Sequence, residues 1–433
     1  MARIGAFCFP GTGHINPMTA LAQRLRERGH EVVIFGIADT EARVRATGTE
    51  FSLIGQADYP LGTLPALDRR LGELDGLATF RFTVERVKNT ARMILRDGPE
   101  ALRRERVDVV LVDEADMGGN VAEYLGLPFV SIAFFPPLTD DSRIPPFCFG
   151  WGAGTSWLTR LRNRLGMRLL RFIAAPIFAL VNEQRRAWRL KPLKSSSDAL
   201  SKLAQIAQLP AALEFDVPPG SPLLHYTGPF VDPELRPQVD FPWQQLDGRP
   251  LIYASLGTLQ NGSEALFQTI AAACAPLSVQ LVLSLGGGLE PARLDPLPGN
   301  PIVVRFAPQL ELVKRAAAVI THAGLNTTLE SLAEGVPLVC LPLGNDQPGV
   351  AARVAARRAG LVVSRGKLTA PRLRSAVRRV LEETQFREAA RRIQTAMRQV
   401  DGLSRAADLI EDALEIHNAR NHSGTKVVFE AQC

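Results

Sequence analysis

The sequence predicts an α/β protein built from two Rossmann-like domains that face each other across a cleft. Three observations carry this. Short apolar strands alternate with segments of helical spacing in both halves of the chain. At 433 residues the chain can bury two cores of ordinary size. A stretch rich in Pro, Asp and Gln, Phe230 to Arg249, has weak periodicity and divides the halves as a linker would. The boundaries predicted are 1–230, a linker at 231–249, 250–400, a closing helix at 401–416 and a polar tail at 417–433.

Arg3 to Phe9 reads as an apolar strand, followed by Pro10-Gly11-Thr12-Gly13-His14 and a helix from Ile15 to Glu27 that Gly29 closes. The strand His30 to Ile37 comes next. This β-loop-α-β opening resembles a dinucleotide-binding fold without its G-x-G-x-x-G. Tyr59 to Leu95 has helical spacing for one or two helices. Asp108 to Val112 is apolar throughout, as a strand buried on both faces is, and ends at Asp113. A helix from Gly118-Gly119 to Leu125 and a strand from Pro128 to Ala133 follow. Phe134 to Leu190 contains Phe135, Phe147, Trp151 and Trp157, then a long helix interleaved with Arg160, Arg162, Arg164, Arg168 and Arg171, which Pro176 should kink. Ala204 to Pro210 and Leu223 to Pro229 read as the last strands of the first half.

The second half begins with the strand Pro250 to Ser255 and the glycine loop Leu256-Gly257-Thr258. Strands at Val279 to Leu285 and Ile302 to Arg305 follow, then one ending at Thr321 and another from Pro337 to Leu341. Amphipathic, Arg-rich helices over Ala370 to Glu383, Gln385 to Val400 and Ser404 to Ile416 close the chain.

Composition narrows the function. The mean hydropathy of +0.03 and 46% hydrophobic residues describe a globular protein. A formal charge of +6 suits anionic substrates or an anionic membrane surface. The basic residues are dispersed and lack interleaved aromatics, which argues against nucleic acid. Five scattered cysteines suit reduced thiols in a cytoplasmic protein, and no CxxC, HExxH or D-x-D suggests a metal site. No signal peptide and no run near eighteen uninterrupted apolar residues is present, so a spanning helix is not expected. The basic helix after Trp157 could instead rest on anionic lipid, at the inner face of the membrane. Asp113-Glu114-Ala115-Asp116 spells a helicase box, but the chain has no P-loop.

The chemistry concentrates between Phe306 and Val350. A strand ending at Thr321, the loop His322-Ala323-Gly324 and a helix begun by Asn326 and Thr327 form an anion site, because first-turn N–H groups lack intrahelical partners and the dipole favours negative charge. Gly324 admits close backbone approach. Glu330, about one turn on, would repel phosphate but suits a diol such as ribose. His322 can donate to a diphosphate, Asp346 and Gln347 can bind sugar hydroxyls, and Ser255 and Thr258 around Gly257 can add bonds to the terminal phosphate. At the other end of the chain, His14 and Asp113 both follow apolar strands, and in a parallel sheet those strand ends share one rim. An ionised Asp113 on one ring nitrogen would fix the tautomer of His14 and stabilise its imidazolium.

These residues carry a resemblance. F-x-P-Q at Phe306, Pro308 and Gln309, then T-H-x-G-x-N-T-x-x-E from Thr321 to Glu330, then G-V-P-x-x-x-x-P-x-x-x-D-Q ending at Gln347, resemble the nucleotide-sugar signature of the family 1 UDP-glycosyltransferases. The resemblance implies the GT-B arrangement, a last helix that returns to the first domain, a metal-independent inverting transfer, and UDP-sugar as co-substrate rather than cofactor. It implies that Gly13-His14-Ile15-Asn16-Pro17 supplies the general base, with Asp113 behind it. The blocks VDVVLVDEAD…VAEYLGLPFVSIA, ASLGTLQ, LAQIAQLP and DQPGV are similar to bacterial zeaxanthin (carotenoid) glucosyltransferases, up to about Ile416. That implies a lipophilic acceptor, walled by Phe134, Phe135, Phe147 and Trp151. Two departures bear on the base-binding end. Phe306 stands where plant members stack a Trp on uracil, and the stretch from Gln309 to His322 is shorter than theirs. A related enzyme for a macrolide, terpenoid, sterol or phenol, and a binding protein that kept the fold without transfer, remain open at this stage. The pair His14 and Asp113 speaks against the second.

Overall fold

The computed structural model describes residues 1–74, 76–217, 220–259, 261–294 and 296–422. The first lobe runs β1 (Arg3–Phe7), α1 (Thr12–Glu27), β2 (Glu31–Gly36), α2 (Ala38–Arg45), β3 (Glu50–Leu53), α3 (Thr63–Gly72), α4 (Gly76–Arg104), β4 (Val109–Asp113), α5 (Gly118–Leu125), β5 (Phe129–Ala133), α6 (Trp157–Ala187), β6 (Gln205–Ala207) and β7 (Leu224–Tyr226). Its strands form one parallel sheet in the order β3-β2-β1-β4-β5-β6-β7.

The second lobe runs β8 (Leu251–Ser255), α7 (Glu264–Cys274), β9 (Gln280–Ser284), β10 (Ile302–Val304), α8 (Gln309–Arg315), β11 (Ala316–Thr321), α9 (Leu325–Ala333), β12 (Leu338–Cys340), α10 (Gln347–Ala356), β13 (Gly360–Val362), α11 (Ala370–Glu382), α12 (Thr384–Arg398) and α13 (Gly402–His422). Its parallel sheet has the order β10-β9-β8-β11-β12-β13. In each sheet the order reverses between two neighbours, β1 and β4 in the first and β8 and β11 in the second. The crevice beyond the strand ends at such a reversal is where open α/β sheets bind ligands.

β1 and β4 are apolar because helices cover both faces of the sheet, and every residue of β4 is buried. α13 leaves the second lobe and packs Leu403, Ala406, Ala407 and Ile410 into the core of the first, beside Met18, Leu21 and Leu25 of α1. Arg28 fixes it by pairing with Asp408 at 2.7 Å and Glu411 at 2.8 Å. Between the lobes, Glu214 and Arg353 form a buried ion pair at 2.8 Å, and Ala207, Leu209 and Leu213 share an apolar cluster with Leu325, Leu329 and Val350.

Several local readings of the sequence change. α1 starts at Thr12 rather than Ile15, so His14 belongs to its first turn and Pro17 lies inside it. Pro17 has no N–H, so the carbonyl of Gly13, four residues back, loses its helical partner. The region from Tyr59 holds two helices, and the second continues to Arg104. α6 runs through Pro176 as one helix of 31 residues. By length and composition α6 could cross a membrane, which Arg171 and Pro176 hide from a count of unbroken apolar residues. Its Arg185 is nonetheless buried inside the lobe, pairing with Glu123 at 2.8 Å. Gln347, read from the sequence with Asp346 as part of the loop after the strand Pro337 to Leu341, opens helix α10. The closing helix begins at Gly402 and reaches His422, past the predicted start of the tail at His417; residues 423–433 lie outside those described.

Candidate active site

A single cleft of about 1510 Å³ runs between the lobes and reaches both sheet reversals. Drug-sized sites occupy roughly 300–1,000 Å³, so this one holds two ligands or one long one.

The wall on the first lobe is set by β1 and β4. His14 Nδ1 lies 2.7 Å from Asp113 Oδ2. Asp113 is wholly buried and held by N–H donors, Phe9 at 3.1 Å to Oδ2 and Ala115 at 3.0 Å to Oδ1. This fixes Nδ1–H as the donor and leaves the Nε2 lone pair of His14 for a ligand. Burial works against the imidazolium, but the charge and hydrogen bond of Asp113 outweigh it, with help from Asp346 and Asp116, and the His14 pKa rises above 6.5. Aromatic rings pack around the imidazole: Phe9 at 5.4 Å, Phe134 at 5.9 Å and Phe135 at 6.2 Å between centroids. Glu114 and Asp116 also line the cleft; burial and the charge of Asp113 push them up to about 8 and about 7.

The opposite wall is set by β8 and β11. β11 leads through Ala323, at φ +66°, into α9, whose N-cap Gly324 offers no side chain and whose first turn no side chain caps. Gly257, at φ +76°, and Gly324 crowd the His322 ring: an added Cβ would sit 2.6 Å and 2.4 Å from its atoms. Burial pushes His322 down to about 4, with the Ser255 carbonyl accepting one ring N–H, so the ring is neutral at pH 7. Asp346 faces His14 from this side, and burial raises it to about 6.

Every residue anticipated on the donor side lines this cleft: Ser255, Gly257, Thr258, Phe306, Pro308, Gln309, His322, Gly324, Asn326, Thr327, Glu330, Asp346 and Gln347. Several are already engaged. Asn326 Nδ2 donates to the Gly13 carbonyl that Pro17 leaves without a partner, at 2.9 Å, and its Oδ1 accepts from Gln208 at 2.9 Å. Glu330, with its side chain 1% exposed, accepts from Gln309 Nε2 at 2.5 Å and pairs with Arg236. Gln347 Oε1 accepts from the N–H groups of Leu343 and Gly344 at 2.8 and 3.0 Å, which folds the loop that carries Asp346.

On the acceptor side, Phe134, Phe135 and Phe147 line the cleft and Trp151 does not. Trp151 turns away, packing at a tilt against Phe149 at 4.3 Å and lying under the Arg162 guanidinium at 5.0 Å. Sequence reasoning missed the cleft face of α4 (Phe80, Val84, Val87) and Arg236 in the linker; it read the segment holding α6 as a wall for a lipophilic acceptor without naming Met167, Ile177 or Phe178, which line the cleft. Helical spacing marked α4 only as amphipathic. Nothing about the linker's composition singles out its arginine. Among the described residues, no group of three or more His, Cys, Asp or Glu is placed to hold a metal ion.

The family model for UDP-glucoronosyl and UDP-glucosyl transferases matches residues 83–420. The zeaxanthin glucosyltransferase of Pantoea ananas is 31% identical over 417 residues, covering 96% of each chain. The 4'-demethylrebeccamycin synthase of Lentzea aerocolonigenes is 31% identical over 435 residues, covering 95% of this chain and 99% of that one. Among solved structures, the calicheamicin glycosyltransferase CalG4 superposes with a TM-score of 0.74 at 24% identity, over 96% of this chain and 99% of the other. VinC, solved with dTDP, gives 0.68 at 22% identity, over 95% and 100%. These two structures share the two-lobed GT-B fold, and the sequence match over most of the chain adds the chemistry: the protein belongs to the UDP-glucoronosyl and UDP-glucosyl transferase family and is a glycosyltransferase.

Proposed function

We propose that this enzyme moves a hexose, glucose foremost, from a UDP-sugar to a hydroxyl of a lipophilic acceptor, a hydroxylated carotenoid such as zeaxanthin. The observation that carries the reading is the His14–Asp113 pair, poised across the cleft from the uncapped N-terminus of α9. The acceptor hydroxyl gives its proton to His14 Nε2 as its oxygen bonds to the anomeric carbon, and the bond from that carbon to the diphosphate breaks on the far side. The carbon inverts and the nucleoside diphosphate leaves. Its growing charge meets the N–H groups at Gly324 to Thr327, since the one N–H of the neutral His322 ring is held by the Ser255 carbonyl. Asp346 and Gln347 hold sugar hydroxyls, Glu330 the ribose, and Phe306 lies under the base.

On the acceptor side Phe80, Val87, Phe134, Phe135, Phe147 and Phe178 line the cleft, apolar side chains that suit a lipophilic acceptor. α6 supports delivery from a membrane. One face lines the cleft, while Leu158, Leu161, Leu165, Leu169 and Phe172 stand exposed among arginines on the other. We place the enzyme in the cytoplasm, peripheral on an anionic bilayer. The test is incubation with UDP-glucose and a panel of hydroxylated acceptors that includes zeaxanthin, read by product mass. A gain of one or two hexose masses on zeaxanthin supports the reading, and transfer confined to small phenols or macrolides overturns the acceptor.

A further inference from the structure

The donor half of the cleft has a charge problem. Among the described residues, the second lobe lines it with Glu311, Glu330 and Asp346 but with no Lys or Arg. Its histidine is neutral. A nucleoside diphosphate sugar brings two negative charges into this acidic surround. The cations that the first lobe contributes are held there: Arg43 by Thr12, Arg86 by Asp68 at 2.9 Å and Arg171 by Asp140 at 2.7 Å. Arg305, beside Phe306, points outward to Glu290.

One cation does cross. Arg236 comes from the segment 232–240 of the linker, nearly all of which lines the cleft, and its Nη2 pairs with Glu330 Oε1. That contact closes the ribose seat. A diol cannot reach the Glu330 oxygens while Arg236 and Gln309 cover them. Thr327 lies three residues before Glu330 on the same face of α9, about 4.5 Å along the axis, within the sweep of an arginine side chain.

We propose that Arg236 is the counterion of the donor diphosphate, parked on Glu330 while the cleft is empty. On donor binding the ribose diol replaces the guanidinium on Glu330. The freed fork then turns to the diphosphate, whose oxygens it matches in two-point geometry. Because Arg236 sits in the linker, donor binding also orders the segment that joins the lobes. This rests on the donor assignment made above.

The test compares UDP with uridine, which shares base and ribose but carries no charge, by calorimetry on the full chain and on Arg236→Gln and Arg236→Lys. Arg236→Gln is expected to weaken UDP roughly ten- to a hundred-fold, as loss of a charge-assisted bond does, while uridine binds as well as before or better. Raising salt should weaken UDP less in that variant than in the native protein. Arg236→Lys, which keeps the charge without the fork, should recover part of the loss and serves if the glutamine variant unfolds. UDP binding that is unchanged or tighter in Arg236→Gln, or UDP and uridine weakened alike, overturns the proposal. If the native chain binds neither UDP nor uridine, the donor assignment itself fails.

Discussion

On the first-lobe wall of the cleft the proposed reactive pair, His14 and Asp113, is already assembled, whereas the wall on the second lobe keeps its polar side chains occupied with one another. His14 Nδ1 and Asp113 Oδ2 stand 2.7 Å apart, the separation that the proposed proton transfer needs. Asn326, Glu330 and Gln309 instead bond to Gly13, Gln208, Arg236 and each other. The difference follows from what each wall does. A base gains from fixed geometry, since reorganisation during reaction adds to the barrier. A ligand pocket must satisfy its buried polar groups while empty, since each orphan costs about 1–3 kcal/mol, and then exchange those partners for the ligand.

The comparison breaks most sharply at His14. With His14→Ala, transfer should fall by roughly 10²- to 10⁴-fold while UDP binding, measured by calorimetry, stays within a few-fold. Equal losses in both would mean that the histidine holds the donor instead.

Asp113→Asn should come next, at about a hundred-fold in kcat/KM, and it changes the pH profile with a calculable sign. His14 acts only when neutral, and Asp113 raises its pKa, so the native profile should lose activity on the acid side with a midpoint above 6.5. In Asp113→Asn its raising charge is gone and burial remains, so that midpoint should fall. A midpoint that does not move would remove Asp113 from the proton-transfer pair.

Glu330 sharpens the contrast from the other wall. Glu330→Ala should raise the donor KM about ten-fold and leave kcat within a few-fold, because it removes binding rather than transition-state contact. Steady-state kinetics in UDP-glucose at saturating acceptor check this, and a collapse of kcat at unchanged KM would contradict it.

How much of this was legible in the sequence differs between the walls for the same reason. The first-lobe pair follows from local pattern plus topology: apolar runs ending at Phe9 and Val112 put His14 and Asp113 on one rim. The second-lobe motif likewise identified its strand, glycine loop and helix, because Gly324 and the polar first turn have a local mechanism. What the pattern could not supply was partnership over long sequence distances. Nothing near Arg236 points to Glu330, nothing in LAQIAQLP points Gln208 at Asn326, and Trp151 looked like a wall until α6 packed Gly166 against its ring. The start of α1 was misread at Pro17, since Pro is tolerated inside a helix when another group, here Asn326, takes up the freed carbonyl.

That freed carbonyl yields the smallest and most diagnostic prediction. Pro17 strands the Gly13 carbonyl one residue before His14, and Asn326, at the N-terminus of α9, caps it from the other lobe. The bond therefore ties the turn that carries His14 to the turn proposed to hold the diphosphate. Asn326→Ala should leave the lobes together, because the Glu214–Arg353 pair and the apolar cluster around Leu209 and Leu329 persist. Thermal unfolding should change little. The cost should instead appear as a few-fold loss in kcat/KM, on the scale of one neutral hydrogen bond of about 1 kcal/mol. Amide exchange should speed up locally at the Gly13 and Asn326 turns and nowhere else. Faster exchange throughout the lobe interface would mean that this bond holds the lobes together, and the division between a finished wall and an exchangeable one would have to be redrawn.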